Sequence, residues 1–288
     1  MSAPAIAPAA GTQRAEIAGI VARESAETLV GQPGGVRVGA LRRLLRPAAH
    51  IVAGRLVAYD ELLGTHGPGH GAMSIIARAT GGIDVRDAAL VPPAGPLLVA
   101  ANHPGLADAV ALLAAMRRDD AWVVAAEYPF LRALRRASHR FLFVPGARAT
   151  RRTVLRAIVG RLRDGDAVLI FPAGGLEVDP ALAPHDALRS IAAWSRSVGL
   201  VSRLVPGVAV LPSLVRGAVS RDAFDHPLAQ SRRSVRERQR MATLLQLAFP
   251  RYQRGRVSVS FGRPIDPRGT DDVDGAVAAE MRTLLGAS

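Results

Sequence analysis

The sequence predicts an α/β fold: a single, mostly parallel central sheet flanked by helices, with N-terminal helices packed outside it. Short apolar runs alternate with longer segments of helical pattern through most of the chain. This alternation is typical of parallel strands joined by crossover helices. A chain of 288 residues with 49% hydrophobic content can bury one sizeable core of this kind.

The individual elements are predicted from apolar runs and from the turn residues between them. Strands are expected at 96–101, 121–126, 140–144 and 167–171, and helices at 107–116, 128–137, 151–163, 184–198 and 231–249. The helix at 151–163 is expected to end at the turn Asp164-Gly165-Asp166. Ser231 is expected to cap the helix at 231–249.

The chain is predicted to have three parts: a disordered tail at 1–14, N-terminal helices at 15–80 and a main domain at 81–288. The segment 39–63 contains apolar residues near helical spacing and four arginines: Leu41, Leu44, Leu45, Ala48, Val52, Leu56 and Val57 with Arg42, Arg43, Arg46 and Arg55. Pro47 is expected to start or kink this helix. Such a basic amphipathic helix either lies in the headgroup layer of an anionic membrane or packs on the sheet with its arginines in water.

Composition limits the function classes. A net charge of +13 indicates an anionic partner, and the aromatic content of 4% argues against nucleic acid, which leaves an anionic membrane surface. The absence of Cys excludes thiolate nucleophiles and Cys-ligated metals, and no cofactor or metal is expected. With no signal peptide and no apolar run long enough to span a bilayer, we expect a peripheral protein at the cytoplasmic face of the membrane.

The segment Asn102-His103-Pro104-Gly105-Leu106-Ala107-Asp108 lies between a predicted strand and a predicted helix. His103 would stand at the carboxyl end of the strand, where open α/β sheets bind ligands. Asp108 would lie in the first turn of the helix, which favours a carboxylate. The pair could form a dyad in which the carboxylate orients the imidazole as a general base for a hydroxyl. Alternatively, His103 satisfies backbone groups and Asp108 only caps the helix.

A second candidate segment follows the strand at 167–171. It reads Pro172-Ala173-Gly174-Gly175, a loop in which backbone amides can approach a ligand closely. No Gly-x-Ser-x-Gly sequence is present, so a serine hydrolase of that type has no visible nucleophile.

Together these segments resemble the glycerolipid acyltransferase superfamily, whose best-known members acylate lysophosphatidic acid. The family's first motif, Asn-His-x4-Asp, matches Asn102, His103 and Asp108, and its third, Phe-Pro-Glu-Gly, matches Phe171, Pro172 and Gly174. Residues 204–210 are similar to its fourth motif, a short apolar strand with an internal Pro, and 257–265 to the segment that closes its domain. The agreement runs from about Gly82 to Asp266.

The resemblance implies an acyltransferase domain at 81–288. It would move a fatty acyl group from an acyl thioester, acyl-CoA or acyl carrier protein, to a hydroxyl of a lysophospholipid or related lipid. His103 would be the general base and Asp108 its support. The substrate-binding residues would be Asn102, Phe171, Pro172, Ala173, Gly174 and Gly175.

The sequence departs from the family pattern at the acceptor site. Ala173 replaces the usual Glu, for which Glu177 or Asp179 could substitute, and Leu176 replaces the Arg expected to bind phosphate. The family's second motif usually ends in an Arg soon after a Phe-Val pair, which is Phe143-Val144 here. The nearest arginines that follow it, and that would supply any phosphate contact, are Arg148, Arg151 and Arg152. We therefore expect an acceptor other than a bare phosphate monoester. The alternative function is a catalytically lapsed member of the fold that binds anionic lipid.

Overall fold

A computed structural model describes residues 10–30, 33–105, 107–145 and 151–286 of the chain. The chain forms two compact units. The first contains residues up to Glu61 together with Tyr128–His139, and the second contains Leu62–Glu127 and Arg140–Ser288. The predicted boundary at residue 80 therefore differs from the boundary between the units.

The second unit is built on a seven-stranded sheet in the described residues. Its strands are β1 Ile83–Arg86, β2 Leu97–Ala101, β3 Ala121–Ala126, β4 Phe141–Val144, β5 Ala167–Ile170, β6 Ala209–Arg216 and β7 Val257–Phe261. The order across the sheet is β1-β7-β6-β2-β5-β3-β4. The strands from β6 to β4 are parallel, whereas β7 runs antiparallel to β6 and β1 is parallel to β7. The predicted fold class is confirmed.

The helices are α1 Ala10–Val30, α2 Val36–Ala79, α3 Asp108–Met116, α4 Pro129–Arg132, α5 Arg151–Arg163, α6 Pro184–Ala192, α7 Ser197–Leu204, α8 Arg221–Phe224, α9 Pro227–Gln230, α10 Val235–Ala248 and α11 Val273–Gly286. Short 3₁₀ turns occur at Ala88–Leu90, Ala137–Arg140, Pro250–Tyr252 and Pro267–Gly269. No helix in the described ranges is long and apolar enough to cross a membrane.

The central strand β2 is buried along its whole length and separates two apolar cores. Leu97, Val99 and Ala101 face the core that contains α3, because alternate residues of a strand point to opposite faces. Leu98 and Ala100 face the core that contains residues of α5, α7 and α11. The residue that follows β2 is therefore held at the centre of the domain.

The first unit contains α1, the part of α2 up to Glu61, and α4. Gln13 of α1 donates hydrogen bonds to the carboxylate of Asp60 and to the carbonyl of Ala133, at 3.0 and 2.9 Å. The same buried carboxylate accepts the amides of Arg136 and Ala137. Because these amides bond to a side chain, they are not available for a longer helix, and the helix predicted at 128–137 is wrong. The structure has the short α4 there, followed by a 3₁₀ turn.

Several other predicted boundaries in the N-terminal region also differ. Residues 10–14, assigned to the tail, belong to α1, and residues 1–9 lie outside the described range. Helix α2 continues through Pro47, where the sequence predicts the start or a kink of the helix, and its non-helical residue is Gly67, with φ 77° and ψ 170°.

In the second unit, the helix predicted at 184–198 is divided into α6 and α7, because Trp194 and Ser195 bond to the loop after β5. Helix α10 begins at Val235, four residues after the start predicted at Ser231. Ser234, not Ser231, caps it and forms a capping box with Glu237. Helix α11 was not predicted.

Candidate active site

Three loops meet at the carboxyl ends of the parallel strands β6, β2 and β5, which are neighbours in the sheet. Residues 102–107 follow β2, residues 171–183 follow β5 and residues 217–220 follow β6. The carboxyl ends of such strands form the crevice in which open α/β sheets bind ligands. This arrangement brings the two predicted motif segments together.

Asn102 fixes the start of the loop after β2. Its side-chain nitrogen donates to the carbonyl of Val215 at 2.9 Å, and its side-chain oxygen accepts the Val215 amide at 2.7 Å. The Asn102 side chain is buried, so it extends the pairing between β2 and β6 by one residue. Both polar atoms of the Asn102 side chain therefore form hydrogen bonds with the backbone of β6.

His103 and Asp108 are in direct contact. The Nδ1 atom of His103 lies 2.7 Å from Oδ2 of Asp108, which also accepts the Gly105 amide at 2.9 Å. The other carboxylate oxygen accepts the Ala109 amide at 2.6 Å, in the first turn of α3. Asp108 is completely buried. Because Nδ1 is engaged, Nε2 is the ring nitrogen left for a substrate.

The ring of His103 is also held from one side by Phe171, the first residue after β5. Their ring centroids are 4.3 Å apart and the rings are nearly parallel, at 21°. Burial disfavours the charged imidazolium, but the charge and hydrogen bond of Asp108 and the charge of Glu177 outweigh it and raise the pKa of His103. A raised pKa makes the imidazole a stronger proton acceptor.

Glu177 lies beside the dyad. Its Oε2 atom accepts the backbone amide of His103 at 2.9 Å, and its Oε1 atom accepts Oγ of Ser190 and Nε1 of Trp194, each at 2.8 Å. Burial raises the pKa of the Glu177 carboxyl, although these three hydrogen bonds act in the opposite direction. In the sequence, Glu177 was indicated only as a carboxylate between Leu176 and Val178, shortly after the loop 172–175.

Two further buried residues bind the loops to one another. Asp179 accepts the amides of Gly217 and Val219, each at 3.0 Å, and so joins the loop after β5 to the loop after β6. Gln239 of α10 donates to the carbonyls of Pro104 and Glu177, each at 2.6 Å. Gln239 was missed by sequence reasoning because it lies within an arginine-rich helix. Through its hydrogen bonds to Gly217 and Val219, Asp179 supports the loops, and it has no described contact with His103 or Asp108.

The loop Pro172-Ala173-Gly174-Gly175 borders a cleft of about 470 Å³. Pro172 is buried, and the three residues after it are exposed. Gly174 has a φ of 67°, a conformation that favours glycine. The cleft is lined by Ala173, Gly175, Leu176, Glu177, Val178, Asp186, Arg189, Ser190, Ala193, Ser234, Val235 and Arg236. The predicted acceptor loop thus forms one of its walls.

Of the three arginines predicted to contact a phosphate, Arg152 is the one whose side chain the structure describes. Arg148 and the side chain of Arg151 lie outside the described residues. Arg152 is exposed on α5, which follows the edge strand β4. Since β4 is three strands from β2, the two strands are separated by about 14 Å. The structure does not bring Arg152 into contact with His103.

Residues 82–203 match a family model described as Acyltransferase. This part of the chain is therefore similar to the acyltransferase family. The match covers less than half of the chain and contains both candidate segments, Asn102–Asp108 and Phe171–Gly175. The resemblance inferred from the motifs is confirmed at this level.

The chain is similar to the crystal structure of the 1-acyl-sn-glycerophosphate (LPA) acyltransferase PlsC from Thermotoga maritima, with 14% sequence identity and a TM-score of 0.44. The alignment covers 96% of this chain and 90% of that one. No curated protein matches the sequence.

Proposed function

We propose that the acyltransferase domain transfers a fatty acyl group from an acyl thioester, acyl-CoA or acyl carrier protein, to a hydroxyl of a lysophospholipid or related lipid. The observation that carries this proposal is the His103–Asp108 contact of 2.7 Å at the end of the central strand. It engages Nδ1 and leaves Nε2 to accept a proton. The acyltransferase family supplies the class of reaction.

In the proposed mechanism, His103 Nε2 removes the proton of the acceptor hydroxyl as its oxygen attacks the thioester carbonyl. The adjacent carboxylate of Asp108 stabilises the imidazolium that forms. The tetrahedral intermediate then collapses, the C–S bond breaks, and the imidazolium returns the proton to the leaving thiolate. The products are the acylated lipid and a free thiol. Since the described contacts of the His103 ring are Asp108 and Phe171, transfer is direct and needs no acyl-enzyme.

We propose that the cleft beside the Pro172–Gly175 loop receives the acceptor. Ala173 and Gly175 line this cleft, and backbone amides of such a loop can approach a headgroup or the developing oxyanion. Leu176 offers no charge where the family has Arg. From this departure at Leu176 we propose an acceptor with a headgroup other than a bare phosphate monoester. The phosphate contact through Arg148, Arg151 or Arg152 stays a prediction.

We further propose that the first unit binds the surface of anionic membranes. Val36, Leu44 and Ile51 are 91%, 76% and 49% exposed and recur at about helical spacing along α2. Arg37 and Arg43 are exposed close to them in sequence. Val52 and Val57, which belong to the apolar set of the predicted amphipathic helix, are buried. The proposed membrane face is therefore the stripe Val36, Leu44 and Ile51.

The function is tested by following thiol release from acyl-CoA and from acylated carrier protein with a panel of lysolipids. We expect release that depends on one of the acceptors. A folded His103→Ala variant should turn over about 10²–10⁴-fold more slowly, as expected for loss of a general base. Binding to anionic vesicles without thiol release from any donor would instead favour the catalytically lapsed alternative, as would a His103→Ala variant with normal turnover.

A further inference from the structure

We infer that Glu177 is a positioning residue for the catalytic base, and that it connects His103 to the wall of the acceptor cleft. This inference rests on the proposed function, in which His103 is the base. Glu177 is not part of either family motif found in this sequence, where Ala173 occupies the position of the usual Glu.

Glu177 holds both backbone polar groups of His103. The carboxylate oxygen Oε2 accepts the His103 amide at 2.9 Å, while the Glu177 amide donates to the His103 carbonyl at 2.7 Å. Together with Asp108 on Nδ1 and Phe171 on the ring face, this clamp restrains the backbone, the edge and the face of the histidine. The position of Nε2 follows from these three restraints.

The other carboxylate oxygen of Glu177 is anchored on α6 and the residues just after it. Oε1 accepts Oγ of Ser190, in α6, and Nε1 of Trp194, two residues after α6. Ser190 and Glu177 both line the cleft. A continuous set of hydrogen bonds therefore leads from the cleft wall to the backbone of His103.

The hydrogen-bond pattern requires an accepting oxygen at both ends of the Glu177 carboxyl group. The His103 amide bonds to Oε2 and the indole of Trp194 bonds to Oε1, and neither of these donors can accept a hydrogen bond. A glutamine has only one side-chain oxygen, so its NH₂ group would face one of these two donors. Glu177→Gln therefore keeps the size of the side chain but leaves at least one buried donor without a partner.

Two consequences separate positioning from simple support of the fold. A displaced base slows the chemical step, so kcat should fall by about 10²-fold with little change in the acceptor KM. Glu177 also contributes to the raised pKa of His103 through its charge, so removing that charge should lower this pKa. The acid limb of the pH–rate profile should then move to lower pH.

The experiment compares Glu177→Gln with the wild-type protein and with Asp274→Asn as a matched control. Asp274 also accepts a backbone amide, that of Gly199 at 2.9 Å, and has no described contact with His103. Steady-state rates are measured against pH, and the His103 imidazole is titrated by NMR. We expect a lower kcat and a lower imidazole pKa in Glu177→Gln, and a wild-type profile and titration in Asp274→Asn.

If Glu177→Gln does not fold, Ser190→Ala and Trp194→Phe give the second test, since each removes one donor and leaves the carboxylate in place. Both should lower kcat by a smaller factor. Folded variants with wild-type kcat and an unchanged His103 titration would overturn the inference. Absence of thioester turnover by the wild-type protein would refute the proposed function instead, and the NMR titration would still test the contact between Glu177 and His103.

Discussion

Asp108→Asn is the substitution that tests the dyad most directly, because it removes a charge and keeps the shape. Oδ2 of Asp108 accepts both Nδ1 of His103 and the Gly105 amide, and Oδ1 accepts the Ala109 amide. An asparagine has only one oxygen for these two positions. If its oxygen faces His103, the partly buried Ala109 amide loses its acceptor. If its NH₂ group faces His103, it donates to Nδ1 and moves the ring proton to Nε2, which can no longer act as a base.

The expected loss of catalytic rate in Asp108→Asn follows from the loss of the negative charge of Asp108. Two unit charges about 4 Å apart interact by about 4 kcal/mol at an effective dielectric constant of about 20. This energy stabilises the imidazolium formed in the transition state and corresponds to a factor of about 10³ in rate. The pKa of His103 should also fall, since the charge of Asp108 helps to raise it. A base works only when it is unprotonated, so the acid limb of kcat/KM should move to lower pH.

The assay is thiol release at several pH values, with near-UV circular dichroism to verify folding. Asp60→Asn is the matched control, because Asp60 is a buried carboxylate that accepts the Arg136 and Ala137 amides without a described contact to His103. It should lower the free energy of unfolding and leave turnover per folded molecule unchanged. A folded Asp108→Asn protein with turnover within about tenfold of wild type would refute the reasoning, because the dyad would then supply far less than a general base does.

Three other predictions concern the membrane, the acceptor and the fold. Leu44→Glu should reduce co-sedimentation with anionic vesicles, and high salt should reduce it for the wild type; Leu228→Glu, also at an exposed leucine, is the control. Equal sedimentation of Leu44→Glu and wild type would argue against the proposed face. Lysolipids with larger headgroups should give a higher kcat/KM than lysophosphatidic acid. Single alanine substitutions of Arg148, Arg151 and Arg152 should lower kcat/KM for acceptors that carry a phosphate. A preference for lysophosphatidic acid that survives all three changes would contradict both statements. Asn102→Ala should lower the free energy of unfolding by about 2 kcal/mol, since the amide and carbonyl of Val215 lose their partner; a denaturant midpoint equal to wild type would show that this pairing is not needed.

The sequence alone predicted the parts of the site that are local in the chain. His103 and Asp108 are five residues apart across one strand-to-helix turn, so the end of β2 and the first turn of α3 place them together. The alternation of apolar runs and helical segments predicted the sheet for a similar reason, since each element carries its own periodicity. The two motif segments were linked by the family resemblance, and the structure places both at the carboxyl ends of neighbouring parallel strands.

Other features depend on contacts between distant residues, and only the tertiary structure decided them. The clamp of Glu177 on His103 joins residues 74 apart, and Gln239 reaches Pro104 across 135 residues. No local pattern distinguishes these side chains from solvated ones. The same holds for α6 and α7, which are separated where Trp194 and Ser195 bond to another loop. It also holds for α2, in which Val52 is buried while the neighbouring apolar Ile51 is exposed. Burial and hydrogen-bond partners depend on what lies opposite a residue, and that is a property of the folded chain.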